Sequence, residues 1–399
     1  MSSLPDVEPP RLMTRHASSI FLVLTLGIVT CAAGAPTPLY RIYQEHWGFS
    51  PVMVTLVFAV YALSLLVALL TVGALSDYVG RRPVIFAALI LNAIAMSLFV
   101  AADSVAMLIA ARILQGFATG IAASTIGAAI LDTNRAHGSL LNSVTPVTGT
   151  ATGALVSGIL VSWAPMPTQL IYIVLLVGML VPAVLVWWIP ETATPRPGAL
   201  ASLRPTVVVP PVARSALILV SPGNIALWAL CGFYLSLMPS LVRTITGSAS
   251  PLLGGLAVSV LTYSGALSML VVRPWPGPTI LVRSMSGLIV GVLITLGGVS
   301  AQSIPLLLLG TVIAGVGFGA GFFGSIRTVV PLAPPHERAG LLSVIFIVCY
   351  LAFSIPTVIA GLFVPMLGLP LTLYIYGAAV IALAAISLVA TIVSIRRAV

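Results

Sequence analysis

The chain reads Gly73-Ala-Leu-Ser-Asp77-Tyr-Val-Gly80-Arg81-Arg82-Pro83 between two long apolar runs. This segment brings one carboxylate, two guanidinium groups and three turn-forming residues together over a few positions. Only 6% of the residues in the chain are charged, whereas a soluble domain contains about 25%. A charged cluster in such a sequence is therefore expected to have a defined place in the structure.

Working outward from this segment, the composition indicates a membrane protein. The 399 residues are 59% hydrophobic, and the mean hydropathy is +1.18. A helix that crosses the hydrocarbon core needs about 20 apolar residues, so the chain is long enough for a dozen spans with short loops. Because backbone polar groups must be satisfied within each helix in lipid, we predict an all-α integral membrane protein. The lipid bilayer is thus an expected partner.

Apolar runs bounded by Pro, Gly or charged residues predict twelve spans. They lie at about 17–39, 51–75, 83–101, 104–131, 139–163, 167–189, 222–245, 250–272, 280–300, 304–330, 340–364 and 368–394. The segment from Pro190 to Ser221 contains six prolines and predicts a linker. We expect an N-terminal tail (1–16), a six-helix bundle (17–189), the linker (190–221), a second six-helix bundle (222–394) and a C-terminal tail (395–399). The first apolar run is too long for a signal peptide and predicts a retained helix.

The distribution of arginine predicts the orientation of the chain. All seventeen basic residues are arginine, and an even number of spans puts both termini on one side. If that side is cytoplasmic, thirteen arginines lie inside, and only Arg41 and Arg243 lie outside; Arg112 and Arg327 fall within helices. The positive-inside rule then places both termini in the cytoplasm. It also accounts for the net charge of +9, so we expect no nucleic-acid partner.

The three cysteines give no sign of a disulfide or a metal site. Cys31, Cys231 and Cys349 all fall inside apolar runs, without CxxC spacing, where cysteine behaves as a small hydrophobic residue. The few histidines lie outside the predicted spans. We therefore expect no metal and no cofactor.

The two halves of the chain resemble each other at an offset near 200 residues. The fourth span reads L-I-A-A-R-I-L-Q-G-F-A-T-G from Leu108, and the tenth reads L-L-L-G-T-V-I-A-G-V-G-F-G from Leu307. This alignment pairs Gly116 with Gly315 and Gly120 with Gly319. Further matches in order, at the outer ends of the first and seventh spans and before the fifth and eleventh, favour duplication over coincidence.

The opening segment follows the pattern G-x-x-x-D-x-x-G-R-R. It resembles the cytoplasmic loop between the second and third helices of major facilitator superfamily transporters, and the resemblance extends over the whole chain. It implies two parallel-repeat six-helix bundles with a substrate site between them near mid-membrane. It also implies that this loop latches the two halves when the transporter opens outward. The alternative is a topogenic charge cluster that only holds the loop inside.

Each residue of the predicted latch has an expected role. Asp77 is expected to accept hydrogen bonds from backbone amides at a nearby helix N-terminus, and Gly80 permits a tight turn. The two arginines offer bidentate donors to a carboxylate, for which Asp132 is the expected partner. We expect Gly73 to allow close helix approach and Pro83 to start the third helix. The predicted latch comprises Gly73, Asp77, Gly80, Arg81, Arg82 and Asp132.

The fourth helix carries an arginine at hydrocarbon depth. Arg112-Ile-Leu-Gln115-Gly116 resembles the R-x-x-x-G motif of the family, and an arginine within a span is a functional candidate by default. Its roles would be to bind substrate charge or to modulate proton movement; the alternatives are a structural ion pair or snorkelling toward the outer face. The predicted substrate or proton pathway comprises Arg112, Gln115, Gly116, Tyr234 and Arg327. Arg327 can alternatively pair with Glu337.

The fifth helix carries a degenerate form of the motif that marks antiporters in the family, G-x-x-x-G-P-x-x-G-G. The expected counterparts are Gly149, Gly153 and Gly158, but Ala154 stands for the proline and Ser157 for a glycine. The small residues are suited to close helix packing. The motif favours export, and its departures from the family pattern weaken that inference.

Carboxylates are absent from the centre of every predicted span, which argues for neutral, zwitterionic or anionic substrates. We expect a bacterial inner-membrane transporter that works as a monomer. It would move a small organic molecule by alternating access, with the proton gradient driving efflux of a drug or metabolite. The alternatives are a proton symporter that imports an organic acid or sugar, and a polytopic membrane enzyme. An enzyme would need a buried nucleophile, a carboxylate pair or a metal cluster, and the sequence offers none.

Overall fold

The computed structural model describes residues 12–247 and 250–398, and within these ranges the regular structure is helical. Twelve long helices are apolar enough to cross a membrane. We number them α1 to α12: Arg15–Gly34, Pro51–Thr71, Arg81–Val100, Val105–Thr133, Gly138–Trp163, Leu170–Leu185, Pro211–Ser236, Pro251–Val271, Gly277–Ser300, Ile304–Val329, Arg338–Leu367 and Leu369–Ala398. Short helices extend α1 and α7 at Tyr40–Trp47 and Met238–Thr246. The prediction of an all-α membrane protein with twelve spans is confirmed.

The helices form two groups with the same internal packing. Helix α1 packs on α5 and α4, α2 on α4, and α3 on α4 and α6. The corresponding pairs recur six helices later, with α7 on α11 and α10, α8 on α10, and α9 on α10 and α12. The two groups meet mainly through α5 with α8 and through α2 with α11, which are also equivalent pairs.

The glycines that align in the two halves make equivalent helix contacts, which supports the internal repeat. A Cβ at Gly116 of α4 would overlap the Tyr61 carbonyl oxygen of α2. In the second half, a Cβ at Gly315 of α10 would overlap the Leu261 carbonyl oxygen of α8. The pair at Gly120 and Gly319 behaves likewise: added Cβ atoms would crowd backbone oxygens of α2 and α8. Small residues thus permit the same close backbone approach twice.

The seventh helix begins earlier than the sequence predicts. Helix α7 starts at Pro211, so the predicted boundary at residue 222 is wrong, and the mainly non-helical connection covers residues 189–210. Pro211 occupies the favoured first position of a helix, and Pro222 is accommodated inside α7. At the C-terminus, helix α12 continues to Ala398, through most of the predicted tail. Residues 1–11 of the predicted N-terminal tail lie outside the described ranges.

Two backbone hydrogen bonds bring several chain segments together at one end of the molecule. The amide of Met13 donates to Trp188 at 2.8 Å, and the amide of Arg196 donates to Tyr78 at 2.9 Å. These bonds join the start of α1 to the end of α6, and the connection at 189–210 to the loop before α3. We call this the terminal end, because it carries the first described residues and the end of α12. The opposite end, which carries Tyr40–Trp47 and Met238–Thr246, is called the distal end.

Candidate functional site

Arg81 is the centre of a polar cluster at the terminal end. It begins α3, is only 9% exposed, and forms an ion pair with Asp77 at 2.5 Å. Its Nε lies 3.4 Å from Asp132 Oδ2 at the end of α4, and its Nη1 donates to Ser76 Oγ at 2.6 Å. The structure thus pairs Arg81 with Asp132, the partner expected from the sequence.

Glu191 takes the role that the sequence analysis assigned to Asp77. The Glu191 carboxylate accepts from the backbone amides of Arg81 at 2.8 Å and Arg82 at 3.0 Å, at the N-terminus of α3. A carboxylate at this position satisfies unpaired amides and interacts favourably with the helix dipole. Gly80 makes room for it: its φ is +102°, and a Cβ there would lie 2.9 Å from Glu191 Oε2. In this conformation Asp77 pairs with the Arg81 side chain instead.

Other details of the segment also differ from expectation. Gly73 lies in the turn after α2, and the atom nearest to an added Cβ would be the Leu69 carbonyl oxygen of the preceding turn. Gly73 therefore serves the local turn rather than helix approach. Pro83 is the third residue of α3, not the first. The Arg82 side chain forms no ion pair within the described residues, and Glu191 binds its backbone amide instead.

Arg112 lies in a closed site between α1, α2 and α4. It is fully buried, and within the described residues no carboxylate forms an ion pair with it. Its Nη1 donates to Gln115 Oε1 at 2.7 Å, and its Nη2 donates to Tyr40 Oη. The guanidinium carbon lies 4.7 Å from the centre of the Tyr61 ring and 5.5 Å from that of Tyr40. Cation–π contacts of this kind stabilise a desolvated cation by about 2 kcal/mol.

The surroundings of Arg112 hold it in one orientation. Gln115 donates to the Ala32 carbonyl of α1 at 2.7 Å, so its amide oxygen is directed at Arg112. Arg112 Nε is buried and has no hydrogen-bond partner. A buried, unpaired donor on a charged group is costly. This arrangement can accept an anion or a polar group when the surrounding helices move.

Two other residues of the predicted pathway lie away from Arg112. Tyr234 is buried in the second half, where its hydroxyl lies 2.9 Å from Thr311 Oγ1. Thr311 is the repeat counterpart of Arg112, so only the first half places a cation at this position. Arg327 is exposed at the terminal end of α10 and donates to the Arg273 carbonyl rather than pairing with Glu337.

The glycines of the fifth helix pack closely, as the sequence suggests, but against two different neighbours. Added Cβ atoms would overlap Thr30 Oγ1 at Gly149 and the Cys31 carbonyl oxygen at Gly153, both on α1. At Gly158 the nearest atom would be the Leu252 Cα of α8, 3.2 Å away, in the other half of the molecule. Helix α5 therefore joins the core of its own bundle to the interface between the bundles.

The two bundles are joined from mid-membrane to the distal end along α5 and α8. Ser259 donates to the Ala151 carbonyl at 2.8 Å, and the Thr152 and Tyr263 hydroxyls lie 2.8 Å apart. At the distal end Arg243 Nη1 lies 2.5 Å from Glu45 Oε1. This ion pair connects the short helix after α1 with the short helix after α7.

A second contact between the bundles, along α2 and α11, lies at the same depth. The rings of Phe58 and Phe353 are 4.6 Å apart. Thr55 is fully buried, and a Cβ at Gly361 would lie closer than van der Waals contact to its side chain. Among residues 12–247 and 250–398, no hydrogen bond or ion pair is seen between helices of different bundles at the terminal end. Within the described residues, the polar contacts between helices of the two bundles therefore lie from mid-membrane to the distal end.

Sequence reasoning missed several of these groups. Glu191 and Tyr40 were not expected in any site, and Tyr61 was expected only as one of several aromatic and polar residues within spans that could line a cavity. Glu191 was detectable in principle, as one of eight acidic residues directly before the proline-rich segment. The tyrosines carried no signal of their own, because aromatic residues in spans are common.

Comparison with known proteins agrees with this architecture. The family model described as Major Facilitator Superfamily matches residues 22–357. A solved structure, a mutant of the nucleoside transporter NupG, matches with a TM-score of 0.72 at 13% identity, covering 94% of this chain and 99% of the other. At that identity the likeness concerns the fold. No match to this chain was found among curated proteins. From the family model and the paired six-helix bundles together, the chain belongs to the Major Facilitator Superfamily and is a transporter rather than an enzyme.

Proposed function

We propose that this transporter exports a small organic molecule from the cytoplasm by alternating access, in exchange for protons. The observation that carries the proposal is the one-sided closure of the two bundles, joined from mid-membrane to the distal end. With the terminal end in the cytoplasm, as the arginine distribution predicts, the conformation is inward-facing. The bacterial inner membrane and a monomeric working unit are parts of the same proposal.

The cluster around Arg81 is suited to close the terminal end in the opposite state. All its ion-pair partners lie in the first bundle: Asp77 and Asp132. Helix α2 packs on α11, and α11 begins at Arg338, at the same end as Asp77. When the terminal ends approach, the N-terminus of α11 is the positive helix end that Asp77 can meet. The cluster would then act as the latch, with Arg81 holding the loop in position.

We expect Asp77→Asn to weaken this latch without unfolding the protein. Its ion pair with Arg81 is partly solvated, since 43% of the Asp77 side chain is exposed, and such pairs contribute about 1 kcal/mol or less to stability. Transport should fall several-fold, and a Ser143→Cys probe on the terminal half of α5 should react faster with a thiol reagent. Asp103→Asn, an exposed carboxylate at the distal end, is the matched control. Unchanged transport and reactivity in Asp77→Asn would refute the latch.

At the other end, Glu45→Gln should favour opening of the distal closure. Glu45 pairs with Arg243 across the two bundles and with Arg41 at 3.2 Å within its own helix. Loss of a partly exposed pair of about 1 kcal/mol should raise the distal-open population about fivefold. The reactivity of a Thr55→Cys probe reports this opening. Arg41→Gln removes only the pair within the helix and should leave the probe protected; equal protection in Glu45→Gln would contradict a gate at this site.

Direction and coupling need a transport assay. The glycines of α5 support export, and the lack of an ion-pair partner for Arg112 within the described residues supports neutral, zwitterionic or anionic substrates. In inside-out vesicles an acidic interior should drive accumulation of the solute, and a protonophore should abolish it. Accumulation of the solute that is independent of the pH gradient would refute proton coupling. Accumulation in right-side-out vesicles with an acidic exterior would instead support the second candidate, a proton symporter that imports an organic acid or sugar.

A further inference from the structure

An aromatic cluster lies in the second bundle, away from Arg112. Trp228, near the middle of α7, makes edge contacts with three rings: Phe322 of α10 at 5.3 Å, and Tyr350 and Phe353 of α11 at 5.1 Å and 5.9 Å. Phe346 extends the set toward the terminal end, 6.3 Å from Tyr350. We call Trp228, Phe322, Tyr350 and Phe353 the aromatic box. Three of its four members are only partly buried, the exception being Phe353.

The box contains polar atoms that the protein does not satisfy. Trp228 Nε1 is buried and has no hydrogen-bond partner, and the same holds for Asn224 Oδ1 one helical turn earlier. Residues four apart on a helix lie on the same face. A buried tryptophan N–H is normally paired, and leaving a buried polar group unpaired destabilises the protein. One unpaired donor and one unpaired acceptor therefore adjoin the rings on one face of α7.

The position of the box connects it with the closure between the bundles. Phe353 belongs to the box and also packs on Phe58 of the first bundle. The Phe58 and Phe353 rings are 4.6 Å apart, so the box borders directly on the first bundle. A molecule held in the box would thus lie at the level where the two bundles separate when the transporter changes state.

We propose that the aromatic box binds the transported molecule, and that this molecule is an uncharged planar aromatic compound with a hydrogen-bonding edge. The ring of this compound packs against the rings of the box. Its polar edge accepts a hydrogen bond from the Trp228 N–H and donates one to Asn224 Oδ1. A cationic aromatic compound is disfavoured, because within the described residues the box contains no carboxylate and its rings contact other aromatic rings. This inference rests on the proposed function, because it identifies the substrate class of the same transporter.

The test measures binding separately from transport. The full-length protein in detergent is titrated by calorimetry with 2-quinolone, a neutral bicyclic lactam that carries both a donor and an acceptor. The matched probes are N-methyl-2-quinolone, which lacks the donor, the N-methylquinolinium cation and a saturated bicyclic lactam. The variants are Trp228→Phe, which keeps a ring but loses the N–H, and Asn224→Leu. The control is Trp275→Phe, whose ring instead stacks with Arg283 at the terminal end.

We expect 2-quinolone to bind most tightly. Trp228→Phe should weaken its binding about tenfold, equivalent to about 1.4 kcal/mol, and Trp275→Phe should leave it unchanged. Asn224→Leu should weaken the binding of 2-quinolone but not the binding of its N-methyl derivative. Absence of binding to the folded protein, equal affinity for the saturated or cationic probe, or equal affinity in Trp228→Phe would overturn the proposal. Binding through Trp228 without uptake into vesicles would instead count against the proposed export and leave the binding site standing.

Discussion

Replacing Arg112 with methionine should abolish transport while leaving the protein folded. Arg112 is fully buried between α1, α2 and α4, and burial of a charge carries a large desolvation cost. Methionine has similar length and removes that cost. No carboxylate would be left uncompensated, because the partners of the guanidinium are Gln115, the Tyr40 hydroxyl, the Ala33 carbonyl and the faces of two tyrosine rings.

The stability of the Arg112→Met variant separates a functional charge from a structural one. Replacing buried ionic groups by apolar side chains of similar volume is often neutral or stabilising, so we expect the thermal midpoint of Arg112→Met to be unchanged or raised. Gln115 would keep its bond to the Ala32 carbonyl. Transport in proteoliposomes should fall at least tenfold, and Arg112→Lys should restore only part of it, because an ammonium lacks the planar donor set.

Two results would contradict this account of Arg112. Full transport by Arg112→Met would remove Arg112 from the mechanism. A large drop in the thermal midpoint, together with normal transport per folded molecule, would identify it as a purely structural residue. The matched control is Arg41→Met at the distal end, where the side chain is partly exposed and solvated.

The second large effect is expected from Gly153→Ala. The methyl group would overlap the Cys31 carbonyl oxygen of α1, and this atom belongs to the backbone and cannot rotate away. Overpacking of this kind costs about 1–3 kcal/mol or more. Helix α5 would have to move away from α1, and the same helix carries Ala151 and Thr152, which bond to α8 in the other bundle. Stability and transport should therefore both fall.

Gly27→Ala provides the matched control for this substitution. Gly27 lies on α1 and faces the same neighbour, but its added methyl would meet only the Thr145 Cγ2 at 3.8 Å, an ordinary contact. We expect near-normal thermal stability and transport in Gly27→Ala, and a clearly lowered thermal midpoint in Gly153→Ala. Equal behaviour of the two variants would show that the approach of α5 to α1 is not as close as the structure places it.

The comparison between sequence and structure is clearest at the loop before α3. The spacing of Asp77, Gly80 and Arg81 was sufficient to predict the turn and the pairing with Asp132. It could not reveal Glu191, which is more than a hundred residues away and reaches the amides of α3 only because α6 ends beside that helix. Local spacing predicts local turns, whereas a cap supplied by a distant residue depends on packing.

The sequence by itself determined the membrane class, the twelve spans, the duplicated halves and the superfamily. These features follow from apolar run length, from a repeat offset and from a short charged motif, all of which are local or additive properties of the chain. The side of the membrane facing the cytoplasm is likewise a sequence-based prediction, drawn from the arginine count.

Only the tertiary structure decided which side of the transporter is closed and what surrounds Arg112. The closure depends on Glu45 meeting Arg243 and on α5 meeting α8, and the two residues of each contact are about one hundred or more positions apart. The Tyr61 ring meets Arg112 because glycine at position 116 lets α2 and α4 approach closely, whereas Tyr40 reaches Arg112 from the short helix after α1. Such contacts depend on the relative positions of whole helices, and no residue pattern within a single helix specifies them.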